Sequence, residues 1–365
     1  IQIDGHIPSM AYEGVRLEDI VVQADNPTEL FQLDMTCASI HLTDSMILRN
    51  LSATTASFDN RMDFGLDWNN LTKKETLGRI NGRVDFDSAG EAKLRFSRSL
   101  VSVRDLQWII DPLGEIGFDS TGIAVTNLKI QNEWQKFAID GKLGKLPTDG
   151  LRVSLERFDV ANFNVLLQKT GLELGGSVTG QAELKALYGN FSFISDLQLD
   201  SLILNKHLIG SGVISNNWLP ESKGIEMNAL LRHDGIDGLT VNGTYFPQSE
   251  KDNYDLDVAF DGIPVGAFEH YVDKMITELT GTASAKIAIS GPTNTPELKG
   301  YVSLDTIGLK VDYLNTQFQV NDTVLVRPNG FFMEQADARD ICGKKGSITG
   351  YLKHENFKNW TFDAA

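Results

Sequence analysis

One feature restricts this chain more than any other. Apolar and polar side chains alternate at a period of two along most of its length. Leu151, Val153 and Leu155 share one parity; so do Tyr254, Leu256, Val258 and Phe260, and again Ile307, Leu309, Val311 and Tyr313. The positions between them are mostly Asp, Lys, Ser, Thr and Asn. Successive side chains of a strand point to opposite faces, so this pattern makes strands with one apolar and one wet face. Such strands suit an antiparallel sheet, because buried parallel strands read as unbroken apolar runs. The expected class is all-β.

Helical spacing is confined to two short stretches, 163–169 and 268–276. Asp159 and Asn162 are candidate N-caps before the first, and Gly171 follows it. Pro264 and Gly266 precede the second. The stretches match each other: Phe163 and Phe268 each stand before a small-residue strand entry at Gly176 and Gly281, an offset of 105 residues. We read this as an internal duplication of strand, short helix and strands. It suggests three segments: a repetitive β-region over 1–150, a first repeat unit over 151–235 and a C-terminal β-domain over 236–365. The softest boundary falls near Trp218-Leu219-Pro220-Glu221.

A smaller phrase recurs more often, an apolar residue and a polar one followed by Gly. It places Gly5, Gly82, Gly141, Gly180, Gly243, Gly300 and Gly350 in equivalent positions. Asn-Gly and Asp-Gly often mark hairpin turns. Here the alternation runs through the Gly unbroken, and the same frame also carries Thr-Gly and Lys-Gly. The glycines are therefore expected inside strands, on the apolar face. Either they let the sheet bend and curl, or they relieve crowding. Turns are expected instead at Arg327-Pro328-Asn329-Gly330, from Gly291 to Pro296, and from Asp234 to Gly238.

Charge and cysteine content narrow the partners. Lys and Arg total 33 against 49 Asp and Glu, a net charge of −16. So acidic a surface repels phosphate backbones and argues against nucleic-acid binding, and equally against general electrostatic docking on anionic lipid headgroups. Cys37 and Cys342 are far apart and neither has a partner at metal-ligand spacing, which argues against a zinc module or a disulfide scaffold. The favoured reading is two buried free thiols. The chain has no apolar run of membrane-spanning length. Both ends read as mid-strand, as expected of an internal fragment whose targeting signal or anchor lies elsewhere.

The six histidines form no H-x-H or H-E-x-x-H set, and no phosphate loop, dinucleotide fingerprint or nucleophile elbow occurs. The carboxylates of Asp252, Asp255 and Asp257 alternate with apolar residues and read as a solvated strand face. The expectation is a non-enzymatic protein without a metal or cofactor. What stands out is the quantity of apolar strand face beside so little helix to cover it. Such a sheet must pack on itself as a sandwich or barrel, or form a trough open to an apolar guest. Acyl chains suit that trough, since a buried CH₂ is worth about 0.8 kcal/mol.

The stretch from about Leu239 resembles the C-terminal domain of the TamB family (translocation and assembly module), related to AsmA-like proteins. The likeness rests on Val241-Asn242-Gly243-Thr244-Tyr245, on Leu279-Thr280-Gly281-Thr282-Ala283, on the run from Ile289 to Gly300, and on Gly346-Ser347-Ile348-Thr349-Gly350. The resemblance implies an elongated, strongly curled antiparallel sheet forming a taco-like apolar trough. It implies a periplasmic setting and an inner-membrane anchor outside this fragment. The family roles it implies are phospholipid transport between the two membranes and outer-membrane protein assembly with a barrel partner of the TamA/BamA type. The expected phospholipid-binding lining is Leu256, Val258, Phe260, Ile287, Ile289, Val302, Leu304, Leu309, Val311, Phe318 and Val320. Two rival functions are an assembly chaperone that adds a client strand to an exposed sheet edge and a polysaccharide-acting β-protein, which the scattered tryptophans do not favour.

Overall fold

The computed structural model describes residues 2–364 apart from 13, 27, 43–46, 70–75, 88–89, 104–105, 168–170, 186–191 and 274–275. The chain is all-β, as the alternation requires: among the described residues 25 strands, antiparallel in every described pairing, belong to one sheet. Two compact units divide it. One comprises residues 1–156 with 183–191, the other 157–182 with 192–365.

The first unit carries β1 (Gln2–Tyr12), β2 (Val15–Asp25), β3 (Phe31–His41), β4 (Ile47–Phe58), β5 (Arg61–Asn69) and β6 (Thr76–Phe86) as a meander. The ladder then splits. The C-terminal half of β6 pairs with β7 (Ala92–Phe96), while its N-terminal half pairs with β8 (Ser99–Val103). β8 pairs with β9 (Leu106–Ile110), and β7 with β10 (Glu115–Asp119). Both halves rejoin on β11 (Gly122–Gln131), which continues to β12 (Lys136–Gly144) and β13 (Gly150–Asp159). The core on the apolar face is built from Ile20, Cys37, Leu51 and Trp68. The opposite face is laced by exposed ion pairs such as Arg83–Asp63 and Arg79–Asp67.

The second unit takes over within β13. It contains a 3₁₀ turn at Val160–Phe163, one α-turn α1 (Asn164–Leu167), and then β14 (Leu174–Lys185), β15 (Ser192–Leu204), β16 (His207–Leu219), β17 (Gly224–His233), β18 (Ile236–Tyr245) and β19 (Tyr254–Pro264). A second 3₁₀ segment, Val265–Tyr271, leads to β20 (Ile276–Gly291), β21 (Glu297–Val311), β22 (Thr316–Arg327), β23 (Gly330–Asp340), β24 (Lys345–Glu355) and β25 (Lys358–Ala364). From β15 to β25 each strand pairs with the next.

Helix content is lower than the spacing suggested. Asp159 does cap the first segment, accepting a hydrogen bond from the Ala161 N–H. That segment is 3₁₀ before its single α-turn, and Gln168 and Lys169 lie outside the described residues. The second is 3₁₀ throughout and begins at Val265, three residues early. Lys274 and Met275 lie outside the described residues, and Ile276 already opens a strand. Both connect strands in so few residues that an α-helix has no room to propagate.

The duplication is present in the backbone and extends beyond the matched residues. Val160 and Val265 both start a 3₁₀ segment and are both buried. Arg157 and Gly262, Gly176 and Gly281, and Ser201 and Thr306 are three further pairs at the same offset, all with positive φ. At Gly176 and Gly281 φ is +103° and +99°, and a Cβ would strike the carbonyls of Asp200 and Ser201 in one repeat, of Asp305 and Thr306 in the other. Only glycine takes that conformation readily beside so close a backbone.

The seven recurrent glycines all lie inside strands, as expected from the unbroken alternation. Gly243 stands opposite Leu256, Gly300 opposite Ile287 and Val326, and Gly350 opposite Met333, all on the apolar face. Turns fall where expected: Arg327 pairs with Gly330, Gly291 closes β20, and Asp234-Gly235 joins β17 to β18. The thiol expectation is half corrected. Cys37 is buried, its Sγ donating to the carbonyls of Glu18 and Ser39. Cys342 is exposed, because it sits in the turn between β23 and β24 rather than on a strand face.

Candidate functional site

The register of the second unit puts the expected lining on one face of the sheet. Leu256 faces Ile289, Val258 faces Ile287, Phe260 faces Ala285, and Ala285 in turn faces Val302. Directly opposed residues of an antiparallel pair share a face, so these side chains are coplanar neighbours. Farther along, Leu309 faces Phe318 and Val320 faces Ile307.

Two parities have to be reconciled on β21, because Val302 and Leu304 are even while Ile307, Leu309 and Val311 are odd. A β-bulge between Leu304 and Ile307 does this, with Thr306 at φ +51°. One extra residue turns the second half of the strand so that its apolar residues return to the same face. A bulge between Met333 and Ala336 does the same on β23.

That face encloses an open groove of about 690 Å³. Leu304, Leu309, Val311, Phe318, Val320 and Val324 on β21 and β22 form its floor, and Phe331, Met333 and Ala338 on β23 with Ile348 and Leu352 on β24 line the adjoining side. Val272, Ile276 and Leu314 complete one rim. The floor from Phe318 to Val324 runs six residue-to-residue steps, roughly 20 Å at about 3.3 Å each.

Of the eleven expected residues, Leu304, Leu309, Val311, Phe318 and Val320 line this groove. Leu256, Val258, Phe260, Ile287, Ile289 and Val302 share the face but lie outside it. Leu256 and Val320 are buried, and the other nine are half-buried. Phe260 and Val302 are taken up by packing. Together with Leu304 and Leu309 they cover a core of Val265, Ala283 and Ile307, so the second 3₁₀ segment caps that stretch of sheet. Glu269 anchors the segment by accepting from the Leu279 N–H at 3.0 Å, and Asn205 Nδ2 donates to its Ala267 carbonyl at 2.7 Å. Val320, Ala336 and Ala338 form a second core, two of whose members, Val320 and Ala338, also line the groove.

Sequence reasoning missed the β23–β24 wall. Alternation at Phe331 and Met333 was available as a signal, but the bulge after Met333 breaks it before Ala336 and Ala338. The Asp255 and Asp257 carboxylates are exposed on the other face, with the solvated placement expected. Among the described residues no three His, Cys, Asp or Glu side chains gather as a metal site. No described helix is long and apolar enough to cross a membrane. Comparison with protein-family models, curated proteins and solved structures finds no match for the chain.

Proposed function

We propose that the second unit binds an apolar guest, the acyl chain of a phospholipid, and that its role is transfer or shielding rather than catalysis. The observation that carries this is the 690 Å³ groove, open to solvent and lined mainly by Leu, Val, Ile, Phe and Met, with Asp340, Lys344, Lys345, Ser347 and Tyr351 as its polar members. Small-molecule sites occupy about 300–1,000 Å³, so this volume is in the range of a specific guest. Its floor also has the right reach. A bilayer's hydrocarbon core is about 30 Å thick, so one leaflet's chain spans roughly 15 Å, against roughly 20 Å of floor.

The TamB-like phrases at Gly281, Gly300 and Gly350 give this reading its setting: a periplasmic segment of a lipid conduit between inner and outer membranes. In that setting the anchor lies in another segment, and an outer-membrane barrel protein is the partner. The test is photo-crosslinking in cells. A crosslinker at Phe318 or Val324, on the groove floor, is expected to capture phospholipid. The same group at Gln319, exposed on the opposite face, is not. Capture of protein alone from the floor positions would overturn the proposal.

A further inference from the structure

Asp followed by Ser or Thr occurs six times in the chain, with the hydroxyl at Ser45, Ser88, Ser120, Ser201, Thr306 and Thr323. The next residue is always Met, Ala, Thr, Leu, Ile or Val, never a charged or aromatic one. Ser45 and Ser88 lie outside the described residues. Of the other four, Ser201 and Thr306 are separated by the 105-residue offset of the duplication.

These two sites share one geometry. Each hydroxyl donates to the carboxylate before it, Ser201 Oγ to Asp200 Oδ1 and Thr306 Oγ1 to Asp305 Oδ1, both at 3.1 Å. Each sits at a bulge, between Leu199 and Leu202 or between Leu304 and Ile307, with φ of +53° and +51°. Asp200, Ser201, Asp305 and Thr306 are all exposed, while Leu202 is half-buried and Ile307 buried. Asp305 stands opposite Thr282, on the face away from the groove.

A bulge does not ask for a hydroxyl. Another duplicated pair of positive-φ positions holds Arg157 and Gly262, and the bulges on β11 and β20 hold Asn127 and Glu278. Threonine is among the residues least suited to this conformation, because its β-branched side chain crowds the backbone at positive φ. So strained a threonine points to a use for its hydroxyl. Charge limits that use. A phosphoryl group would add about −1.5 to −2 charge beside a carboxylate, where like charges repel, in a chain already at −16. An uncharged group meets no such penalty.

We propose that Ser201 and Thr306 are acceptors for an O-linked glycan. The donor is a sugar activated at its anomeric carbon as a diphosphate ester and brought by a glycosyltransferase. The hydroxyl oxygen attacks that carbon, the bond from the carbon to the diphosphate oxygen breaks, and the diphosphate leaves with the electron pair. The hydroxyl proton passes to the carboxylate it already bonds, Asp200 or Asp305, and from there to water. Nothing is oxidised or reduced. The modification is independent of what occupies the groove.

The test is mass spectrometry of the full chain isolated from the cells that make it, against the same chain made by cell-free translation without sugar donors. Peptides carrying Ser201 and Thr306 are expected to be heavier by whole sugar residues, localised to those hydroxyls by electron-transfer fragmentation. S201A and T306A should each remove one glycan, and S201T and T306S should keep it. D200N and D305N should lower occupancy at the neighbouring hydroxyl roughly tenfold or more, the effect of losing one charge-assisted hydrogen bond. D257N, exposed before Val258 rather than before a hydroxyl, should leave both sites unchanged. Circular dichroism confirms that each variant is folded. Equal masses from the two sources, phosphate in place of sugar, or occupancy indifferent to D200N and D305N overturns the proposal.

Discussion

Val324 and Val326 share a strand, a face and a side-chain type, yet the groove separates their fates. Val324 is half-buried and lines the groove; Val326 is 2% exposed and lies between Gly300 and Phe331. Full burial of a valine side chain is worth about 1.5–3 kcal/mol. Val324→Asp forfeits about half of that, on the order of 1 kcal/mol, because the open groove lets the new carboxylate keep its water. Val326→Asp puts a charge where neither water nor a partner reaches it, a loss of about 3–5 kcal/mol. Hydrogen exchange across residues 316–353, read against urea, reports both values locally. Lipid binding reverses the order of sensitivity at Val324. There a guest chain would strip the carboxylate of water, at several kcal/mol, so Kd should rise by more than about 100-fold. Equal destabilisation by the two variants would mean that the groove wall is ordinary core. Normal lipid affinity in Val324→Asp would be as damaging to the reasoning.

Three further outcomes are expected. Gly281→Ala should destabilise the second unit by about 2 kcal/mol or more in urea unfolding, since a Cβ at φ +99° is strained and meets the Asp305 and Thr306 carbonyls. Hydrogen bonds from the Thr121 side chain and N–H hold the Asp119 carboxyl down at about 2. Because its folded value lies below the unfolded one, Asp119 contributes stability that is complete above about pH 4 and is lost as pH falls toward 2; NMR titration of the carboxyl checks this, and Asp119→Asn should abolish that part of the acid dependence. Finally, a thiol reagent should modify one cysteine in the native chain, Cys342, and a second only after denaturation.

The strand faces were legible because period two is a direct image of the pleat. Leu256, Val258, Ile287 and Ile289 fell on the face their parity assigned, and Gly243 and Gly300 fell inside strands despite their turn-like neighbours. The duplication was legible for a similar reason, since Gly176 and Gly281 meet a backbone constraint that no other residue satisfies easily. Bulges were not legible. Thr306 carries no special side chain, and its positive φ follows from cross-strand register rather than from local preference. The limits of the groove were hidden for the same reason. Whether Phe260 meets solvent depends on where Val265 packs, a tertiary fact that alternation alone does not encode. The 3₁₀ character of Val265–Tyr271 was missed because its apolar spacing fits either helix type over so few residues.

The repeat with its 105-residue offset has a consequence for how such a molecule tolerates damage. Among the described residues, each strand from β15 onward is paired in the ladder with the strands before and after it in sequence. Stability in an array of this kind accumulates by nearest-neighbour terms. A lesion in one hairpin therefore frays its immediate surroundings and leaves distant hairpins standing. The same arithmetic lets copies be inserted or deleted without redesigning the rest, so span becomes a quantity that gene duplication can adjust in fixed increments.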